Sequence, residues 1–306
     1  MRSPRSSSTA SAATRRPADV RATLIVNPFA SRVTPELAER VAAALGAVET
    51  IFTERAGHAT ELAREAETEA VVVFSGDGGF NEALNGARPE TVLGFVPGGG
   101  TSVLPRALGL PRDPLAAAAE LRAGATRRIS LGRANGRRFG FAAGVGLDAE
   151  LVRRMDARGR REDGKRPGDL VFAWTAVRAL AERRVRFDPA LEVAGHGRAA
   201  FALVANADPY TYLGRLPLRL PRGASLDAGL DLLAPRRLRA RSLPGAVAYV
   251  ATGRTRLPLL RIHDADRIEL RCDSPLPLQL DGEDVGDVGE VVFEAERAAV
   301  TVLCGR

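Results

Sequence analysis

Between Arg21 and Gly124 the chain alternates strand-length apolar runs with helical segments, and no other feature constrains its fold as strongly. Ala22–Val26 and Ala70–Phe74 are almost purely apolar, as expected of parallel strands covered on both faces. Thr34, Pro35 and Glu36 supply an N-cap, a first-turn proline and a first-turn acid. Leu37, Val41 and Leu45 then recur at helical spacing. The pattern predicts further strands over Val48–Thr53 and Thr91–Val96. It predicts helices over His58–Glu67 and Phe80–Asn85, and one from Asp113–Pro114 to Gly124. Such a rhythm specifies an α/β domain with a parallel sheet, placed over residues 20–126.

After Arg127 the rhythm changes. Asn135-Gly136 between apolar runs predicts a hairpin, and Gly195-His196-Gly197 a second turn between strands. Short strands are expected at Gly229–Leu233, Arg267–Arg271, Leu276–Leu280, Glu290–Glu294 and Ala299–Leu303. Residues 127–306 therefore read as a mainly antiparallel β domain. A helix over Asp169–Glu182, preceded by the basic loop Arg158–Pro167, interrupts it. Residues 1–19 carry almost no large apolar side chain and are expected to be a disordered tail.

Charge narrows the ligand class. Lys+Arg is 44 against 37 Asp+Glu, a net +7, and Lys165 is the only lysine. This balance favours anions: nucleic acid, nucleotide phosphates or an anionic membrane face. Cys272 and Cys304 are too few for a disulfide framework and read as ordinary buried residues. No apolar run approaches a membrane span, and no apolar stretch follows the basic start. A soluble, intracellular protein is the expectation.

Ligands of open parallel sheets bind at the carboxyl ends of the strands. Four segments lie there: Asn27–Ser31, Thr53–His58, Ser75–Glu82 and Pro97–Ser102. The last two are glycine-rich, which lets backbone N–H groups approach a phosphate. Asp77, inside one of them, would repel phosphate unless it serves Mg²⁺ or a hydroxyl proton. No P-loop lysine is present, so phosphates would be held by amides, hydroxyls, Mg²⁺ or arginine. His58, His196 and His263 lack metal-ligand spacing; they read as helix-start, turn and surface residues.

Together these segments resemble the diacylglycerol kinase catalytic domain family, which includes bacterial lipid kinases and sphingosine kinases. Val26-Asn27-Pro28 and Thr53 with Gly57-His58-Ala59 resemble its first two nucleotide loops. Ser75 to Gly86 resembles the G-G-D-G-T-x-N-E-V-x-N-G signature, with Gly79 in place of Thr. Pro97 to Pro111 resembles the next motif, with Gly100 and Ser102 departing from it. Asp281-Gly282-Glu283 resembles a late D-G-E, and Ser225–Leu230 a structural Mg²⁺ segment in which Ala228 replaces an aspartate.

The resemblance implies an NAD kinase/diacylglycerol kinase-like fold and transfer of the ATP γ-phosphoryl group to a lipid hydroxyl such as that of diacylglycerol. It implies Glu283 and Asp77 as catalytic, with Asp77 tied to Mg²⁺ through phosphates or water. Asn27, Pro28, Thr53, Ser75, Gly76, Gly78, Gly79, Glu82, Gly98, Gly99, Gly100 and Thr101 would hold ATP. The implied setting is cytoplasmic phospholipid biosynthesis at an anionic membrane face, with no nucleic acid; a homodimer is left open. An NAD kinase-like enzyme with a soluble acceptor, and a non-catalytic lipid- or nucleotide-binding protein, are the competing readings.

Overall fold

A computed structural model of the chain describes residues 14–15, 21–46, 49–157, 184–214 and 216–305, with 174–175, 178–179 and 181–182 between them. The N-terminal elements are β1 (Thr14–Arg15), β2 (Ala22–Val26), α1 (Pro35–Leu45), β3 (Glu49–Phe52) and α2 (His58–Glu65). β4 (Ala70–Ser75), α3 (Asp77–Gly86), β5 (Val92–Pro97), α4 (Val103–Ala107) and α5 (Pro114–Ala123) complete that half. The helix starts are set locally. Thr34 Oγ1 accepts from Leu37 N at 3.2 Å, and Asp113 Oδ1 from Ala116 N at 2.9 Å. Gly46, at φ 69°, ends α1 in a left-handed turn that glycine adopts without strain.

β3, β2, β4 and β5 lie side by side in parallel. Successive residues of each strand face opposite sides. Leu24, Val26, Val72 and Phe74 therefore pack with α1 and α5, while Ile25, Val71 and Val73 pack with α2 and α3.

The second half holds β6 (Ala125–Ala134), β7 (Arg137–Phe139), β8 (Ala142–Val145), α6 (Leu147–Ala157), β9 (Leu191–Val193) and β10 (Gly197–Ala199). It continues with β11 (Ala202–Ala205), β12 (Thr211–Leu213), β13 (Leu216–Leu218), β14 (Leu230–Pro235), α7 (Leu243–Thr252) and β15 (Leu259–Ala265). β16 (Arg267–Leu280) and β17 (Glu283–Cys304) close the chain. Pairing here is antiparallel, and both hairpins expected from Asn135-Gly136 and Gly195–Gly197 are present.

One strand ties the halves together. β17 begins at Glu283, runs antiparallel to β16 and β6, and ends beside β5 in parallel, with Thr301 opposite Val92. Fifteen strands, parallel and antiparallel, thus form one continuous sheet among the described residues, and β12 pairs with β13 apart from it.

Several boundaries differ from the sequence expectation. The helix expected over Phe80–Asn85 begins at Asp77, so Asp77-Gly78-Gly79 forms its first turn rather than a loop before it. The strand pairs Arg267–Arg271 and Leu276–Leu280, and Glu290–Glu294 and Ala299–Leu303, are each one long strand. Register shifts between Arg271 and Leu276, and between Glu296 and Val300, let pairing continue past the apparent breaks. Thr14 and Arg15, from the segment expected to be disordered, pair with Thr126 and Ala125. The basic loop Arg158–Pro167 lies outside the described residues, as does most of the helix expected over Asp169–Glu182.

Candidate active site

The loops at the carboxyl ends of β2, β3, β4 and β5 open onto a cavity of about 730 Å³ whose other wall comes from the antiparallel half. Asn27, Thr53, Ser75 and Glu82 line it, as do Gly76–Gly79 and Gly99–Thr101. Pro28 is exposed at its edge, and Gly98 sits behind its loop against Val33 and the Ser75 carbonyl.

Close packing explains most of the glycines. A Cβ on Gly99 would lie 2.9 Å from Gly76 Cα, so the two glycine loops touch backbone to backbone. A Cβ on Gly86 would lie 2.1 Å from the Thr60 carbonyl oxygen, where α3 crosses α2. Gly100 has open space around its Cα. At position 79 a Cβ would come within 2.2 Å of Ser75 Oγ. Serine at 75 and glycine at 79 are therefore sterically coupled, and Ser75 supplies a hydroxyl in the space a side chain at 79 would enter. Asn27 Nδ2 donates to that hydroxyl at 3.2 Å, while Asn27 Oδ1 accepts from Phe29 N at 2.9 Å.

The acidic side chains have distinct surroundings. Asp77 Oδ1 accepts from Val103 N at 2.7 Å, which ties the third loop to the fourth. Glu82 Oε2 accepts from Ala59 N at 3.1 Å and so caps α2 while lining the cavity. Glu283, although it lies far from this loop in sequence, sits directly over it. Its Oε1 is 2.5 Å from where a Gly78 Cβ would be, and its Oε2 accepts from Arg137 Nη2 at 2.7 Å. Sequence reasoning passed over Arg137, because an arginine in a hairpin of an arginine-rich chain carries no local signal.

Asp281 is the hinge of this arrangement. It is 3% exposed, and its carboxylate accepts from the backbone N–H groups of Gly140, Phe141 and Ala142 and from Asn81 Nδ2. Burial pushes its carboxyl pKa up, against those four hydrogen bonds, which favour the ionised form. Asn81 and Asn85 also bond the Arg138 backbone, so the asparagines of α3 clamp it to β7.

The far wall is apolar, built from Phe141, Val152, Met155, Tyr212 and Leu218. Its floor is polar. Tyr210 Oη donates to Asp148 Oδ2 at 2.7 Å, and Gln279 Nε2 donates to the same oxygen at 2.7 Å. Gly282 N donates to Gln279 Oε1 at 2.8 Å, which links this buried group to the D-G-E turn. Burial holds the Asp148 carboxyl pKa above its ordinary value. Tyr212 also takes the Arg106 guanidinium on its ring face, 3.1 Å from the centroid, so α4 meets the β12–β13 hairpin at the cleft.

The segment expected to resemble a structural metal site is held differently. Asp227 forms an ion pair with Arg127. Among the described residues no group of three or more acidic, histidine or cysteine side chains gathers to hold a metal.

The family model of the diacylglycerol kinase catalytic domain matches residues 21–134. A diacylglycerol kinase of Bacillus subtilis is 39% identical over 110 residues, 34% of this chain and 36% of that protein. One of Staphylococcus epidermidis is 34% identical over 138 residues, 40% of this chain and 43% of that protein. Each match thus spans less than half of the relative's length. In fold the likeness is wider. The crystal structure of a diacylglycerol kinase from Bacillus anthracis superposes with a TM-score of 0.68 at 20% identity, covering 93% of this chain and 97% of that one. In sequence, then, the likeness to the diacylglycerol kinase catalytic domain lies within residues 21–134, and beyond them it is a likeness of fold.

Proposed function

We propose that this protein transfers the γ-phosphoryl group of ATP to the hydroxyl of a lipid such as diacylglycerol. The observation that carries the reading is Glu283, whose carboxylate lies against Gly78 of the glycine loops and which directly follows Asp281 and Gly282 of the cavity lining. A phosphate on the loops and an alcohol in the apolar part would both be within its reach.

In this reading the backbone amides of the glycine loops and the hydroxyls of Ser75 and Thr101 hold the ATP phosphates. Among the described residues no side-chain cluster gathers to hold a metal; Asp77, inside the glycine-rich loop, is the residue that would help the nucleotide hold Mg²⁺. When bound it would neutralise charge on those phosphates. The acceptor chain lies along Phe141, Val152 and Met155, with its head towards Asp148 and Tyr210. The acceptor oxygen attacks the γ-phosphorus as the bond to the bridging oxygen breaks. Glu283, positioned by Arg137, takes the hydroxyl proton, and ADP leaves. Such transfer depends mainly on positioning and electrostatics, and both walls contribute to it.

The test is incubation with radiolabelled ATP and extracted lipids, followed by identification of the labelled product. Label in a lipid phosphate is expected. Label in phosphorylated NAD would move the function to a soluble acceptor, and ATP binding without turnover would support a non-catalytic role.

A further inference from the structure

The chain places its basic charge unevenly. Residues 232–263 contain Arg236, Arg237, Arg239, Arg241, Arg254, Arg256 and Arg261, and no aspartate or glutamate. At the centre of this segment lies α7, ten residues without a charged side chain. Only Tyr249 of α7 is buried, beneath the Arg261 guanidinium. Pro244, Val247, Ala248 and Ala251 are exposed, and Val247 is 66% exposed. Their spacing puts them on one helical face, so α7 turns an apolar stripe towards solvent. Arg237, Arg241, Arg254 and Arg256 are exposed around it.

Arg222 ties this helix to the segment that follows the β12–β13 hairpin. Arg222 Nη2 donates to the Val250 carbonyl at 2.6 Å, and a Cβ on Gly253 would lie 2.6 Å from Arg222 Cδ. Arg222 follows the β12–β13 hairpin, whose Tyr212 and Leu218 line the cavity. Leu216 of that hairpin is 59% exposed.

We propose that α7, its ring of arginines and the β12–β13 hairpin form the surface that docks on an anionic phospholipid bilayer. Basic side chains around an apolar helical face match anionic headgroups above an acyl layer. A nucleic acid would use the charges but leave the stripe in water. The proposal rests on the lipid-acceptor reading of the cleft, because docking there presents the hairpin and the apolar wall to the bilayer.

Sedimentation of the full chain with phosphatidylcholine vesicles, with and without phosphatidylglycerol, tests this. Binding is expected only to the anionic vesicles, and it should fall with salt. Arg241→Gln, Arg254→Gln and Arg256→Gln together should weaken it on the order of 100-fold, and Val247→Glu on the order of tenfold. Arg40→Gln, Arg64→Gln and Arg122→Gln, which remove equal charge from α1, α2 and α5, should change it little. Equal losses from the two arginine sets, displacement from vesicles by an oligonucleotide, or a dimer that Val247→Glu dissociates would each overturn the surface. Turnover of an acceptor in detergent micelles separates the two readings. Micellar turnover without vesicle binding overturns the docking surface alone; vesicle binding with the expected variant losses but no turnover of any lipid overturns the kinase reading alone.

Discussion

Gly76 and Gly99 meet backbone to backbone on one side of the cleft, whereas Asp281 on the facing turn holds four donors from two other segments. The first region is built by subtraction. Side chains are omitted so that loops can approach each other and a ligand. The second is built by addition, with one buried carboxylate gathering polar groups that would otherwise be stranded. A loop made of small residues tolerates loss of one polar atom. A buried polar knot does not, because every remaining partner loses its bond.

The largest effect should therefore come from Asp281→Ala. Three backbone N–H groups and the Asn81 amide would lose their acceptor, at about 3–5 kcal/mol. Denaturant unfolding is expected to show much of the stability gone; a near wild-type midpoint would mean the knot is not the keystone.

Next come the two catalytic candidates, one on each wall. Glu283→Gln should lower kcat by about 10²–10⁴-fold with ATP affinity nearly unchanged. Asp77→Asn can still accept from Val103 N, so the protein should stay folded while turnover falls by about 10²–10³-fold. Steady-state kinetics with a nucleotide-binding titration read both. A loss confined to ATP binding in the Glu283 variant would move proton transfer elsewhere.

Steric coupling within the glycine loops should give a smaller effect. Gly79→Thr alone should cost about 1–3 kcal/mol, because its Cβ meets Ser75 Oγ. Adding Ser75→Gly should recover most of that and return a hydroxyl to the site. Additive costs in the double-variant cycle would show that positions 75 and 79 are independent.

The smallest effect lies far from both walls. His263 Nδ1 pairs with buried Asp231 at 2.8 Å, and that hydrogen bond, then its charge, raises the imidazole pKa above its usual 6.5. A raised imidazole stabilises the fold fully below the unfolded value, and that stability is lost as pH rises through the folded value. His263 is largely exposed, so the contribution should stay under about 1 kcal/mol. His263→Gln should lower the unfolding midpoint more below pH 6.5 than well above it.

The sequence by itself specified what is local. Apolar runs, N-caps and the Asn135-Gly136 turn marked strands, helices and a hairpin, because hydrophobic period, capping and turn chemistry are each written within a few residues. The glycine loops were legible for the same reason, and so was the change from parallel to antiparallel pairing. Only the tertiary structure decided what depends on distant segments. It set Glu283 over Gly78, gave it Arg137, and made Asp281 a buried acceptor for Asn81 and for the 140–142 backbone. It joined the apparent strand pairs into β16 and β17, and it carried the end of β17 back to β5. Those contacts follow from burial and sheet continuity, which are properties of the whole chain, so no short stretch of sequence encodes them.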